Sequence, residues 1–63
     1  MRMISVSSSA ISAIGYDGSM LRVVFRHGGT YDHPGVPEWV FREFLKADSH
    51  GRYYVYHIRG RYR

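Results

Sequence analysis

The sequence predicts an α+β domain: a three-stranded antiparallel β-meander over residues 10–33, packed by one helix at about 37–47 and followed by a short C-terminal helix over 49–59. Three observations lead there. Two tight-turn signals, Asp17-Gly18 and Gly28-Gly29, divide residues 10–33 into three short runs. Residues 36–47 carry apolar side chains at helical spacing. A chain of 63 residues has room for one small core of marginal stability, so a second domain, a large catalytic cleft or a buried dinucleotide does not fit. With 44% hydrophobic and 16% aromatic residues it is too apolar to be disordered.

The Ser-rich opening, Met1-Arg2-Met3-Ile4-Ser5-Val6-Ser7-Ser8-Ser9, reads as an irregular lead-in to a strand. Ala10-Ile11-Ser12-Ala13-Ile14-Gly15-Tyr16 forms the first strand and ends at Asp17-Gly18, where both residue types tolerate positive φ. Met20–Arg26 is the clearest strand, with Leu21, Val23 and Phe25 on one face and Arg22, Val24 and Arg26 on the other. Gly28-Gly29 turns the chain into Thr30-Tyr31-Asp32-His33. Pro34-Gly35-Val36-Pro37 then breaks the sheet, and Pro37 suits the first turn of a helix.

On that helix Val40, Phe41, Phe44 and Leu45 form one stripe, edged by Val36, Pro37 and Ala47. The stripe must cover the sheet, because three strands cannot bury an apolar face unaided. Glu38 and Arg42 make an i,i+4 pair, and Lys46 suits the helix end. Trp39 projects roughly 150° from the stripe's centre. It is therefore either a lid over the C-terminal segment or a protein-interface residue. Periodicity leaves residues 49–63 open: Ser49 and Gly60 suit a helix start and stop, whereas Tyr53-Tyr54-Val55-Tyr56 has high β-propensity.

Charge is unevenly placed. Residues 1–48 hold five Lys and Arg against five Asp and Glu, whereas residues 49–63 hold Arg52, Arg59, Arg61 and Arg63 and no acid, so the whole net charge of +4 lies there. An acid-free basic end points to a polyanionic partner, either a nucleic acid or an acidic protein surface. Tyr53, Tyr54, Tyr56 and His57 interleave with these arginines. Guanidinium groups hold phosphate bidentately, and flat rings stack on bases. The same residue types are favoured at protein–protein hot spots.

Other chemistry finds no support. The absence of cysteine removes disulfides, thiolate metal sites and cysteine nucleophiles, and agrees with a cytoplasmic location. His27, His33, His50 and His57 form no i,i+4 pair for a metal. No serine lies in a nucleophile elbow, and Gly28-Gly29-Thr30 lacks the lysine and spacing of a phosphate loop. The sequence accordingly predicts no enzyme, no metal and no cofactor. The N-terminal stretch has no signal-peptide core, no run suits a membrane span, and no membrane partner is expected.

The chain resembles the KTSC domain family, small domains found at the C-terminus of some lysyl-tRNA synthetases and as stand-alone bacterial proteins. The likeness rests on Ser7-Ser8-Ser9-Ala10-Ile11, Gly15-Tyr16-Asp17, Phe25-Arg26-His27-Gly28-Gly29, Tyr31, Gly35-Val36-Pro37, Ser49-His50-Gly51-Arg52-Tyr53-Tyr54 and His57-Ile58-Arg59-Gly60-Arg61-Tyr62. The family's central Tyr-x-Tyr corresponds to Tyr31-Asp32-His33, with histidine in place of the second tyrosine. Val55 stands near where the family has an asparagine, and that polar residue favours a helix over 49–59. The synthetase context implies RNA binding.

The sequence therefore leads to a non-catalytic module that binds RNA or another nucleic acid. Arg52, Arg59, Arg61 and Arg63 would contact phosphate, and Tyr31, His33, Tyr53 and His57 would stack. The alternative is a protein-interaction module or small inhibitor, from a bacterium or a mobile element, that engages an acidic or nucleic-acid-binding partner surface. Ten aromatic residues exceed what one small core readily encloses, which predicts a homodimer.

Overall fold

Strand pairing begins earlier in the chain than the sequence predicts. A computed structural model describes residues 1–62. Four strands, not three, run antiparallel in chain order as β1 (Arg2–Ser5), β2 (Ile11–Tyr16), β3 (Met20–Phe25) and β4 (Gly29–Pro34). The unexpected one is β1, which sets Met3 opposite Gly15 and Ile4 opposite Ile14. Its four residues are all exposed, so no alternation of burial marks it as a strand. The sulfurs of Met3 and Met1 lie over Gly15, in space that a Cβ there would share with these movable side-chain ends.

In β2, Ile11 and Ile14 are both fully buried although they lie three residues apart. A regular strand alternates faces with a period of two, so one residue must be absorbed. The register shift between Ile11 and Ala13 does this. The turn into β3 uses Gly18 at φ 100°. Asp17 Oδ1 accepts there from the N–H groups of Ser19 (3.2 Å) and Met20 (2.8 Å). Leu21 and Val23 are buried and Phe25 packs beside them. On the opposite face Arg22 grips Asp32 of β4 with two hydrogen bonds of 2.7 and 2.9 Å.

Gly35, at φ 75°, turns the chain out of the sheet. Its N–H and that of Val36 both donate to the Ser19 carbonyl, at 2.8 and 3.2 Å. The Tyr16 hydroxyl donates to the Val36 carbonyl at 2.5 Å, which ties this crossover to β2. Helix α1 (Glu38–Lys46) follows. Pro37 stands one residue before it, with its carbonyl accepting from Val40 and Phe41. The expected stripe faces inward: Val40 and Phe44 are buried, Phe41 stacks on Tyr16 at 4.8 Å, and Leu45 packs at the margin. Glu38 and Arg42 pair at 2.9 Å in the open, which contributes only about 0.3–0.5 kcal/mol. Trp39 is 61% exposed and does not cover the C-terminal segment, so the lid alternative is not the one adopted.

The C-terminal segment is helical, as expected, in two parts. Helix α2 (His50–Tyr53) starts at Ser49, whose Oγ accepts from the Arg52 N–H at 3.3 Å. It widens at once into a π-helical turn over Tyr54–Ile58, closed by the Arg59 N–H donating to the Tyr54 carbonyl at 2.8 Å. Gly60, at φ 82°, ends it. Tyr54 and Ile58 are the buried residues of this turn and complete the core against Phe44 and the sheet. Among the described residues no helix is long and apolar enough to cross a membrane.

Candidate nucleic-acid interface

The C-terminal helix is a ridge with a groove on each side. Tyr54 and Ile58 hold it down, and Arg52, Val55, Tyr56, His57 and Arg59 are left outside. Between the ridge and the β3–β4 hairpin lies a cavity of about 440 Å³. The rings of Phe25, Tyr31 and Tyr54 wall it together with Val55 and Arg59. Along the other flank a shallower groove of about 290 Å³ is lined by Asp48, Arg52, Tyr53, Tyr56 and His57, so one carboxylate borders the Arg52 side.

The predicted residues divide between these two places. Tyr31, 53% exposed, and Arg59 meet in the first. Arg52, Tyr53 and His57 meet in the second. The Tyr53 ring stacks on Phe44 at 5.5 Å and lies against His57 at 4.4 Å, forming a run of rings from core to surface. The Tyr53 hydroxyl also donates to Glu43 at 3.3 Å. Burial first, then the Glu43 charge, pushes this phenol above its ordinary pKa. His57, exposed, is the outer member of that run. Arg61 is exposed just beyond Gly60, and Arg63 lies outside the described residues.

His33 departs from its predicted role. Only 8% exposed, it lies on the inward face of β4, opposite Leu21. Its Nδ1 lies 2.7 Å from the Tyr62 carbonyl, which can only accept, so Nδ1 carries the proton. In that tautomer Nε2 accepts from the Tyr54 hydroxyl at 2.9 Å. Both nitrogens are engaged and the ring is enclosed, which removes His33 as a stacking surface in this conformation. Tyr31, two residues earlier on the same face, stays open because it lies beside the cavity.

Tyr54 is the residue that sequence reasoning passed over in favour of its neighbour Tyr53. It touches Phe25, His33 and Phe44, and burial is the main cause that raises its hydroxyl pKa. The signal was its four-residue spacing from Ile58. Among the described residues Arg52, Arg59 and Arg61 make no ion pair, whereas Arg22 and Arg42 each hold a carboxylate. Among the same residues no three His, Cys, Asp or Glu side chains come together as a metal ion needs.

The KTSC domain family model matches residues 7–62, nearly the whole chain. The chain belongs to the KTSC domain family. This KTSC domain is similar to the crystal structure of a KTSC domain protein from Yersinia pestis, with a TM-score of 0.95 and 42% identity, over 98% of this chain and 90% of that one. It is 42% identical over 60 residues to a protein of Tsukamurella paurometabola, covering 92% of this chain and 90% of that protein. To an uncharacterized protein of Stutzerimonas stutzeri it is 36% identical over 56 residues, covering 86% and 79%. These relatives are small bacterial proteins for which the KTSC domain is most of the chain.

Proposed function

We propose that this KTSC domain is a non-catalytic module that binds single-stranded RNA, or another single-stranded nucleic acid, along its C-terminal ridge. The observation that supports this most is the company of three exposed guanidiniums. Arg52, Arg59 and Arg61 lie in a stretch with no carboxylate from 49 to 62, and rings of Tyr31 and His57 are exposed beside them. Phosphates meet the arginines and bases meet the rings, a combination that tolerates any sequence. Such a module works in the cytoplasm, a compartment that suits a chain without cysteine. The test is fluorescence anisotropy with single-stranded RNA, transfer RNA and duplex DNA at two salt concentrations. Binding to a single strand should weaken with a logarithmic slope of about −0.7 per phosphate neutralised. Affinities weaker than about 100 µM for all three at low salt overturn the proposal.

One observation favours a second reading, a protein-interaction module. Trp39 is largely exposed on α1, and exposed Trp and Arg are favoured interface anchors. In that case the basic ridge engages an acidic partner surface, as in a small inhibitor or accessory protein, or Trp39 joins two copies of this chain. Partners retained from a bacterial lysate after nuclease treatment favour this class, and partners lost with nuclease favour the first.

A further inference from the structure

The cavity beside Tyr31 has more definition than phosphate contact along a ridge requires. Tyr31 and Tyr54 each stand nearly perpendicular to Phe25, at 82° and 81°, with ring centres 5.6 and 5.0 Å from it. Gly28 and Gly51 border the same space without positive φ, so neither is held to glycine by its backbone. At Gly51 a Cβ would press on the Ala10 Cβ at 3.3 Å, so this wall of the cavity is closely packed backbone. Its volume of about 440 Å³ falls in the range of small-ligand pockets, roughly 300–1,000 Å³.

Charge selects among ligands. Three aromatic walls on their own would suit an organic cation. Arg59 is the charged side chain of this lining, and no carboxylate accompanies it, so a cation is repelled and an anion attracted. A ligand must then offer a flat or apolar body with a negative group at one end. We infer that the cavity holds one unstacked nucleobase against Tyr31 and Val55, with the phosphate of the same nucleotide on Arg59. This rests on the single-strand reading above and gives it a point of attachment: one base leaves the strand's own stack while its neighbours follow Arg52 and Arg61.

Base–ring stacking is worth a roughly five- to 150-fold gain in affinity per base. Val55 is exposed, so Val55→Trp fills the cavity from outside the core. Three measurements test the inference on the full chain, with circular dichroism to confirm that each variant folds. Single-stranded RNA is titrated into the wild type, Val55→Trp and Tyr31→Ala. An abasic strand of equal length is compared with the normal one. Adenosine monophosphate and N-acetylphenylalanine are titrated separately into isotope-labelled protein.

The expected result is a loss of at least fivefold in both variants with an unchanged salt slope, a similar loss for the abasic strand, and adenosine monophosphate shifting the Tyr31 and Arg59 resonances. If RNA binds the variants as tightly as the wild type, the base pocket is wrong and the ridge reading stands. If adenosine monophosphate shifts those resonances but RNA does not bind, the pocket stands as a nucleotide site and the ridge reading falls. Shifts with N-acetylphenylalanine and none with the nucleotide overturn the inference in favour of a peptide carboxylate, and silence from every probe overturns both.

Discussion

The Tyr54 hydroxyl donates to His33 Nε2 across 2.9 Å, joining the last strand of the sheet to the π-helical turn. His33 passes the connection on through Nδ1 to the Tyr62 carbonyl, so two side-chain hydrogen bonds fasten the end of the helix and the tail beyond it to β4. The phenol is buried together with the imidazole, and neither nitrogen has another partner to turn to.

Tyr54→Phe keeps the ring contacts with Phe25 and Phe44 and strands a buried nitrogen. It should destabilise the domain by about 1–3 kcal/mol, read from the urea midpoint. Amide exchange should rise first over residues 59–62, because the tail is held through the same histidine. A midpoint equal to that of the wild type would show that the hydrogen bond contributes nothing net.

Stability should fall at both ends of the pH scale. Tyr16, Tyr53 and Tyr54 all have pKa values raised above the ordinary 10.0, burial being the largest cause for each. The folded chain keeps these protons longer than the unfolded chain, so the stabilisation is complete below pH 10.0 and is lost as pH rises through the folded values. Asp17 and Asp32 are shifted the other way, Asp17 chiefly by the Met20 and Ser19 N–H groups and Asp32 by Arg22. Their contribution is present above the ordinary 3.8 and disappears as pH falls through the folded values. Urea denaturation across the pH range should give a plateau with two falling arms, and Asp17→Asn should shorten the acid arm.

How much of this could be read from the chain depends on which residues signal burial. β3 is legible because Leu21, Val23 and Phe25 share one face while Arg22 and Arg26 fall on the other, and α1 because its stripe recurs at helical spacing. Ser49 and Gly60 correctly bracket a helix. β1 is not legible: its four residues stay exposed, so no alternation of apolar and polar residues marks them. The bulge in β2 was hinted at by two isoleucines three apart. The π-helical turn has no local signature, since it arises from fitting Tyr54 and Ile58 to one core. At the candidate site the basic-aromatic composition was legible, whereas burial of His33 depends on Tyr54 and Tyr62, distant in sequence.

Removing phosphate contacts one at a time should separate charge from stacking. Arg52→Ala and Arg61→Ala alter exposed side chains with no ion pair among the described residues, so the thermal midpoint should stay within error of the wild type. Each should reduce the magnitude of the single-strand salt slope by about 0.7. An unchanged slope in either variant removes that arginine from the interface.

Self-association should run through Trp39 if the molecule pairs. Sedimentation equilibrium from micromolar to millimolar concentration is expected to show a monomer–dimer equilibrium that Trp39→Ala shifts toward monomer by at least tenfold, about 1.4 kcal/mol. A monomer mass throughout ends the dimer reading.

With β1 in place, the sheet has two unlike borders. On one, the backbone of Arg2–Ser5 meets no further strand, and its N–H and C=O groups can still recruit a neighbour. On the other, β4 ends at Pro34, which has no N–H to offer, and Gly35 then bends the chain away. A strand adding along β1 would pair with Arg2–Ser5, whereas one approaching β4 would lose a hydrogen bond at Pro34.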